Sequence, residues 1–334
     1  MNKDTSNQTH ITGILLLNLG SPSAPTPEAV KPYLEEFLSD RYIVDYPRWL
    51  WIPILKGIIL KTRPARSAAL YGNIWTEHGS PLIYFTESIA QQLQVRLNSE
   101  SERDIPVKAG MRYGSPSIAD RIVELAASGV GRLIVLPLFP QYSTTTTQTG
   151  LDAVYEGIYK LSTQFDLEVV KDYHDHPAYI EAVAESIRHD WDRHGQPEKL
   201  LLSFHGVPKR YCKFDPYVEQ CKHTARLIAE ALELPDMGWA YAFQSRFGPE
   251  PWVQPYTDET LKQWGSAGAK SVSVAAPGFA VDCLETLDEL AREARLEFNE
   301  AGGESFRYIP ALNDTPGHIN LLATILREKF GAGL

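Results

Sequence analysis

The chain has 334 residues, 43% hydrophobic and 22% charged, which is the composition of a soluble globular protein with room for two domains of ordinary size. A net charge of −10 without a dense Lys/Arg run argues against nucleic acid as the main partner. Three cysteines, Cys212, Cys221 and Cys283, with no CxxC, argue against a disulfide framework or a closed zinc site and fit a reducing compartment.

The leading MNKDTSNQTH is polar and does not read as a signal peptide. GILLLNLG (13–20) reads as a buried parallel strand. The most apolar stretch, WLWIPILKGIIL (49–60), is too short to span a bilayer and carries Pro53 and Lys56. It reads either as a core or lid helix or as an apolar lip at an interface, for which Trp49 and Trp51 beside Lys56, Lys61 and Arg63 are suited. VKAGMRY (107–113) and RLIVLPLF (132–139) are further strands, and between them SPSIADRIVELAASG reads as a Ser-capped helix ending in Gly. KLLLSFHG (199–206), MGWAYAFQS (237–245) and KSVSVAAPGF (270–279) repeat the theme, with TDETLKQWGSAG (257–268) as the helix between the last two. This alternation predicts an α/β fold of open parallel sheets flanked by helices. TPGHINLLATILREKF closes the chain as a helix.

The two halves resemble each other. LLLNLGSP (15–22) parallels LLSFHGVP (201–208), MRYG (111–114) parallels SRFG (245–248), and LPLFPQYS (136–143) parallels APGFAVDC (276–283). Three weak matches in one order indicate a duplicated doubly wound domain. The expected division is 1–163 and 164–312, with the terminal helix 313–334 packing back on the first domain. Leu19 and His205 then occupy equivalent positions across a cleft.

In such sheets ligands bind beyond the carboxyl ends of the strands. That rule gathers Arg112, Tyr113, Tyr142, His205, Arg246, Trp252, Asp282, Cys283 and Glu285. His205 directly follows LLLSF and reads either as a hydrogen-bonded strand-end histidine or as a general base. PGFAVDCLETLDELARE (277–293) places Glu285, Glu289 and Glu293 at i, i+4 and i+8 of an expected α-helix, with no Lys or Arg at 281–291. A solvated face is the ordinary fate of such a run. Glu285 argues otherwise, because it lies in the first turn, beside the expected cleft, between Leu284 and Leu287. The file can serve as a hard-oxygen path that binds a divalent cation weakly enough to release it. His174 and His176 look like a metal pair, but Pro177 makes capping the preferred reading, and His223 is placed on a surface helix. Neither GxGxxG nor GxxxxGK[ST] occurs, so a nucleotide site has no support.

SFHGVP, FQSRFGPEPWVQPYTDETL and PGFAVDCLETLDEL resemble the signature blocks of the ferrochelatase family, and LLLNLGSP, GMRYGSPS and LPLFPQYS extend the resemblance from about residue 12 to the C-terminus, with the Gram-negative bacterial pattern. The resemblance implies two similar Rossmann-like domains of the class II chelatase type, with a porphyrin cleft between them. It implies a lyase of haem biosynthesis that inserts Fe²⁺ into protoporphyrin IX and releases two protons. His205 matches the family's active-site histidine and Glu285 its acidic partner, both also expected at the metal, with Asp282 and Glu289 matching the acidic wall behind. Arg112 and Tyr113 match the Arg-Tyr pair of the opposite wall, Trp252 and Phe279 match pocket-lining aromatics, and Leu19 stands where some relatives place Tyr or Met against the metal. Tyr142 is the remaining expected substrate contact. Cys283 replaces a second histidine found in some relatives. With three cysteines and no cysteine-bearing extension, no [2Fe-2S] cluster and no other cofactor is expected. The expected setting is cytoplasmic, peripheral to the inner membrane if 49–60 touches it, as a monomer or weak dimer without nucleic acid. Two alternatives stay open: a related chelatase for coproporphyrin or another metal, and a non-catalytic two-domain binding protein of the periplasmic type.

Overall fold

Apolar runs of five to eight residues, buried on both faces, leave a strand no exposed side and favour parallel sheets covered by helices. The computed structural model, which describes residues 11–331 except 103 and 163, contains two such sheets. The polar lead 1–10 and the last three residues of the expected terminal helix lie outside the described residues. In the first sheet β1 (Ile11–Asn18) lies between β2 (Val107–Met111) and β3 (Val130–Pro137), and β4 (Asp166–Val169) adds to β3. In the second, β5 (Lys199–His205) lies between β6 (Trp239–Gln244) and β7 (Ser271–Ala275), and β8 (Ser305–Ile309) adds to β7. All pairs are parallel and the two orders are equivalent, as a duplicated doubly wound domain requires.

The edge strands β4 and β8 escape the sequence reading because DLEV and SFRYI are short, mixed in polarity and only partly buried. Their pairing moves one limit. Arg132 to Val135 of β3 register with Asp166 to Val169, so the first sheet runs past the expected boundary at 163.

The helices of the first half are α1 (Pro27–Ser39), α2 (Arg48–Ile54), α3 (Leu60–Ile74), α4 (Pro81–Asn98), α5 (Ile118–Ala127) and α6 (Thr149–Leu161). Those of the second are α7 (Pro177–His194), α8 (Tyr217–Ala231), α9 (Thr257–Ser266), α10 (Arg295–Glu300) and α11 (Pro316–Phe330). Ser117 caps α5 by accepting from the Asp120 N–H, and His176 Nδ1 caps α7 by accepting from the Ala178 N–H at 3.2 Å. Among the described residues three segments are π-helical, Leu55–Ile59, Thr144–Gln148 and Glu285–Ala294, a geometry that concentrates at functional sites.

One apolar cluster runs through both halves, joining Leu16 and Leu136 to Leu202, Phe204 and, from α11, Leu322 and Leu326. Each such leucine contributes about 2 kcal/mol by leaving water. Helix α11 packs on α4 of the first half and also on α7. Ser88 and Arg96 of α4 donate to Asp314 and Asn320 at 2.5 and 3.1 Å. After β1 the chain must turn tightly. Gly20 has φ +104°, and a Cβ there would stand 1.9 Å from the Tyr113 carbonyl oxygen, so only glycine lets the two strand-end loops close together.

His318, at the start of α11, is 1% exposed and its Nδ1–H donates to the Asn313 carbonyl at 2.5 Å. It borders a small cavity of about 20 Å³ with Tyr173, Tyr179 and Phe279. Burial pushes its pKa down to about 4, from an ordinary 6.5. The unfolded chain therefore binds this proton first, and stability is lost as pH falls from 6.5 towards 4. Urea unfolding should show the wild type losing up to ~3 kcal/mol over this window relative to His318→Gln. Parallel pH profiles of the two proteins would remove His318 as the cause.

Candidate active site

The carboxyl end of β5 delivers His205 half-buried. Its Nδ1 lies 2.6 Å from the Gly206 carbonyl oxygen. A carbonyl only accepts, so Nδ1 carries the hydrogen and Nε2 keeps the lone pair. The neighbouring backbone fixes the position: the Gly206 N–H donates to the Gln244 carbonyl at 2.8 Å, and the Tyr217 hydroxyl donates to the His205 carbonyl at 3.0 Å. A Cβ at 206 would stand 2.8 Å from the Gln244 oxygen and 3.2 Å from Trp252 Cε3. Trp252 thus packs over Gly206, with its ring centroid 4.9 Å from that of Phe247. Its buried Nε1–H has no partner among the described residues.

Gln244 ends β6 in register with His205 and is 6% exposed. Its Oε1 accepts from the Ser203 hydroxyl at 2.7 Å and its Nε2 donates to the Glu285 carbonyl at 3.0 Å. One side chain therefore ties the histidine strand to the head of the segment Glu285–Ala294. That segment is π-helical rather than the expected α-helix. Its turn, wider than 3.6 residues, brings side chains four apart more squarely into file. Glu285 and Glu289 are half-buried, while Glu293 is exposed and pairs with Arg292 at 2.9 Å. Arg292 also grips Asp288, which accepts from Asn73 of α3 at 3.0 Å.

Glu289 carries the electrostatic cost. Burial first, and the Glu285 charge second, push its pKa up to about 7, against a hydrogen bond from the Ser245 hydroxyl. Ser245 sits at φ +66°, the left-handed region in which a non-glycine residue stores strain. Cys283 is buried, and burial together with Glu285 holds its thiol protonated.

Across from Glu285 stand two tyrosines that the sequence reading missed. Tyr33 of α1 and Tyr71 of α3 meet edge to face at 6.4 Å. Burial raises both hydroxyl pKa values, and the Glu285 charge adds to the rise. The Tyr33 hydroxyl donates to the Gly20 carbonyl at 3.3 Å, which places half-buried Leu19 at the same edge. Nothing in KPYLEEF or AALYGN distinguishes these tyrosines from core aromatics at helical spacing. Phe279 follows β7 and is partly buried against the second sheet.

Two expected site residues are committed elsewhere. Asp282 is 4% exposed, and its carboxylate accepts from the Thr286 and Tyr308 hydroxyls at 2.9 and 2.7 Å and from Asn313 Nδ2 at 2.7 Å. A carboxylate so saturated braces the turn and is no open metal ligand. Tyr113 has no exposed surface and donates to Asp40 at 2.8 Å, so it offers no wall to a ligand. Arg112 donates to the same Asp40 oxygen at 2.5 Å and to Thr149 Oγ1 at 2.7 Å, and keeps 23% of its side chain exposed. Tyr142 is half-buried and donates to Gln148 Oε1 at 2.9 Å, in the loop that enters the second π-helical turn.

The profile of the family described as Ferrochelatase matches residues 11–330. Ferrochelatase 1 of Shewanella oneidensis is 49% identical over 95% of both chains. The ferrochelatase of Nitrosococcus oceani is 50% identical over 95% of this chain and 86% of its own, and that of Yersinia enterocolitica serotype O:8 is 47% identical over 95% and 98%. Among solved structures, the sirohydrochlorin chelatase SirB of Bacillus subtilis subspecies spizizenii, in complex with cobalt, shares the fold with a TM-score of 0.54 at 10% identity, over 95% of this chain and 94% of that one. The chain belongs to the ferrochelatase family.

A carboxyl whose folded-state pKa is raised keeps its proton longer in the native protein, so stability declines as pH climbs from the unfolded value of 4.5 through about 7. Glu289→Gln should abolish that decline. Denaturation profiles should show the variant gaining on the wild type by up to ~3 kcal/mol across this window. A constant difference between the two would show that Glu289 titrates normally.

Proposed function

We propose that this chain inserts Fe²⁺ into protoporphyrin IX, forming protohaem and releasing two protons, as the terminal step of haem synthesis. The observation that carries the reading is the coupling of His205, with its Nδ1 hydrogen committed to a carbonyl, to the Glu285–Glu289 file through Gln244. The reaction needs a base, because the two pyrrole N–H protons must leave as iron arrives, and Nε2 of His205 holds the free lone pair for that role. It also needs a metal path that binds without trapping. Glu285 and Glu289 offer hard oxygens, and the charge of one raises the cost of ionising the other, so a divalent cation displaces a proton rather than filling a preformed cage. The flat apolar macrocycle needs an apolar and aromatic surround, for which Trp252, Leu19, Tyr33 and Tyr71 are placed. Ferrous iron enters and ferrous iron leaves, so the step requires no electron carrier and no [2Fe-2S] cluster.

The proposed setting is cytoplasmic, with peripheral contact to the membrane that holds the lipophilic porphyrin. Trp49, Leu50 and Ile58 are 79%, 45% and 60% exposed on the 49–60 segment, an arrangement suited to the interface. Among the described residues no helix is long and apolar enough to cross a membrane.

Anaerobic incubation with protoporphyrin IX and Fe²⁺ or Zn²⁺, followed by the porphyrin absorption spectrum, should show metalation well above the protein-free rate. Metalation of coproporphyrin alone would reassign the substrate, and no metalation of either would end the enzyme reading. His205→Ala should lower turnover by roughly 10²–10⁴-fold with little change in porphyrin binding. Glu289→Gln should mainly raise the KM for metal. Full activity in His205→Ala would give the base to another group.

A further inference from the structure

A second cluster of metal-ligating side chains lies outside the cleft. His174 and Asp175, in the loop between β4 and α7, meet His223 of α8, and one ligand atom from each lies within 4.8 Å of the other two. The two imidazoles approach edge to face with centroids 5.7 Å apart. The pair that the sequence spacing offers, His174 and His176, is not the one the fold assembles, because His176 caps α7 and bonds Glu328 at 3.0 Å.

The cluster is preset rather than a chance meeting of surface groups. Asp172 lies 2.9 Å from His174 Nδ1, so its carboxylate takes that ring hydrogen and leaves the lone pair on Nε2. A carboxylate behind a histidine is the arrangement that orients imidazole ligands in metal sites and raises their basicity. The loop is also pinned to α8: the Thr224 hydroxyl donates to the His174 carbonyl at 2.7 Å, next in sequence to His223. Thr224 in turn accepts from Gln141 Nε2 at 3.1 Å, which ties the cluster to the buried loop after β3.

We propose that His174, Asp175 and His223 form a binding site for a divalent transition-metal ion of the Zn²⁺ class, separate from the His205 cleft. Two imidazoles and a carboxylate, with water completing the shell, suit Zn²⁺ or Fe²⁺ and not Mg²⁺ or Ca²⁺, which take oxygen ligands. The ion would cross-link the loop after β4 to α8, and so join the end of the first sheet to a helix of the second half. Because the liganded groups come from both, the site exists only in the folded chain, and bound metal should raise its melting temperature.

The test is calorimetric titration of the metal-free full-length chain with ZnCl₂, without porphyrin. The wild type should bind one more equivalent than either His174→Ala or His223→Ala, and only the wild type should show the corresponding part of the zinc-dependent rise in Tm. Asp172→Asn keeps all three ligands and should weaken this equivalent by 10–100-fold. His176→Asn, which retains a capping side chain, should bind as the wild type does. Thermal unfolding without metal checks that each variant folds, and His223→Gln replaces His223→Ala if the alanine lowers the midpoint. Equal stoichiometry in the wild type and both His variants would overturn the proposal. So would loss of the same equivalent in His176→Asn, since zinc would then be scattered over surface histidines.

Discussion

Gln244 is the hinge of the site. Its backbone carbonyl holds the Gly206 N–H, its side-chain oxygen takes the Ser203 hydroxyl, and its side-chain N–H reaches the Glu285 carbonyl. The Ser203 bond is buried and the Glu285 bond partly so, and a buried polar group left unpaired costs ~1–3 kcal/mol. That cost makes the separation of His205 from Glu285 a property of the fold rather than of two flexible side chains. Any group placed between them meets an imidazole and a carboxyl whose spacing the protein has already set.

The π-helical segment makes the second arrangement affordable. Acids four apart repel, and an isolated helix would avoid them. Here Arg292 neutralises the outer end by gripping both Asp288 and Glu293, and Asn73 anchors Asp288 to α3. The inner end has no such relief. Glu289 is left with a raised pKa and one hydroxyl from a strained Ser245. The gradient runs from paired charge at the surface to unpaired, partly protonated carboxyl inside, the electrostatic profile that the proposed metal path requires.

How much of this was legible follows from which signals are local. The central strands were readable because burial on both faces leaves continuous apolar runs, and His205 was readable because it ends one of them. Glu285 and Glu289 were readable as a file, though not as a π-helix, since four-residue spacing fits both helical periods. The misses are long-range. Tyr33 and Tyr71 matter only because tertiary packing sets α1 and α3 opposite Glu285. Asp282 and Tyr113 were misassigned because position near a strand end does not reveal competing partners: Asn313 and Tyr308 for one, Asp40 for the other. β4 and β8 were invisible because DLEV and SFRYI are short, mixed in polarity and only partly buried.

Cys283 shows why the two walls of the site differ in chemical hardness. It sits between saturated Asp282 and half-buried Glu285, with its N–H donating to Thr286 Oγ1 at 3.0 Å. A thiolate there would be a soft ligand and would hold a transition metal tightly. Burial and the adjacent carboxylate oppose that ionisation, so the residue packs as a small apolar group. On that side the site therefore offers oxygen donors, and on the other an imidazole nitrogen. Under the proposed function, a metal crossing from the carboxylate file towards His205 would move from hard to borderline donors without passing a thiolate sink, an ordering that favours delivery over storage.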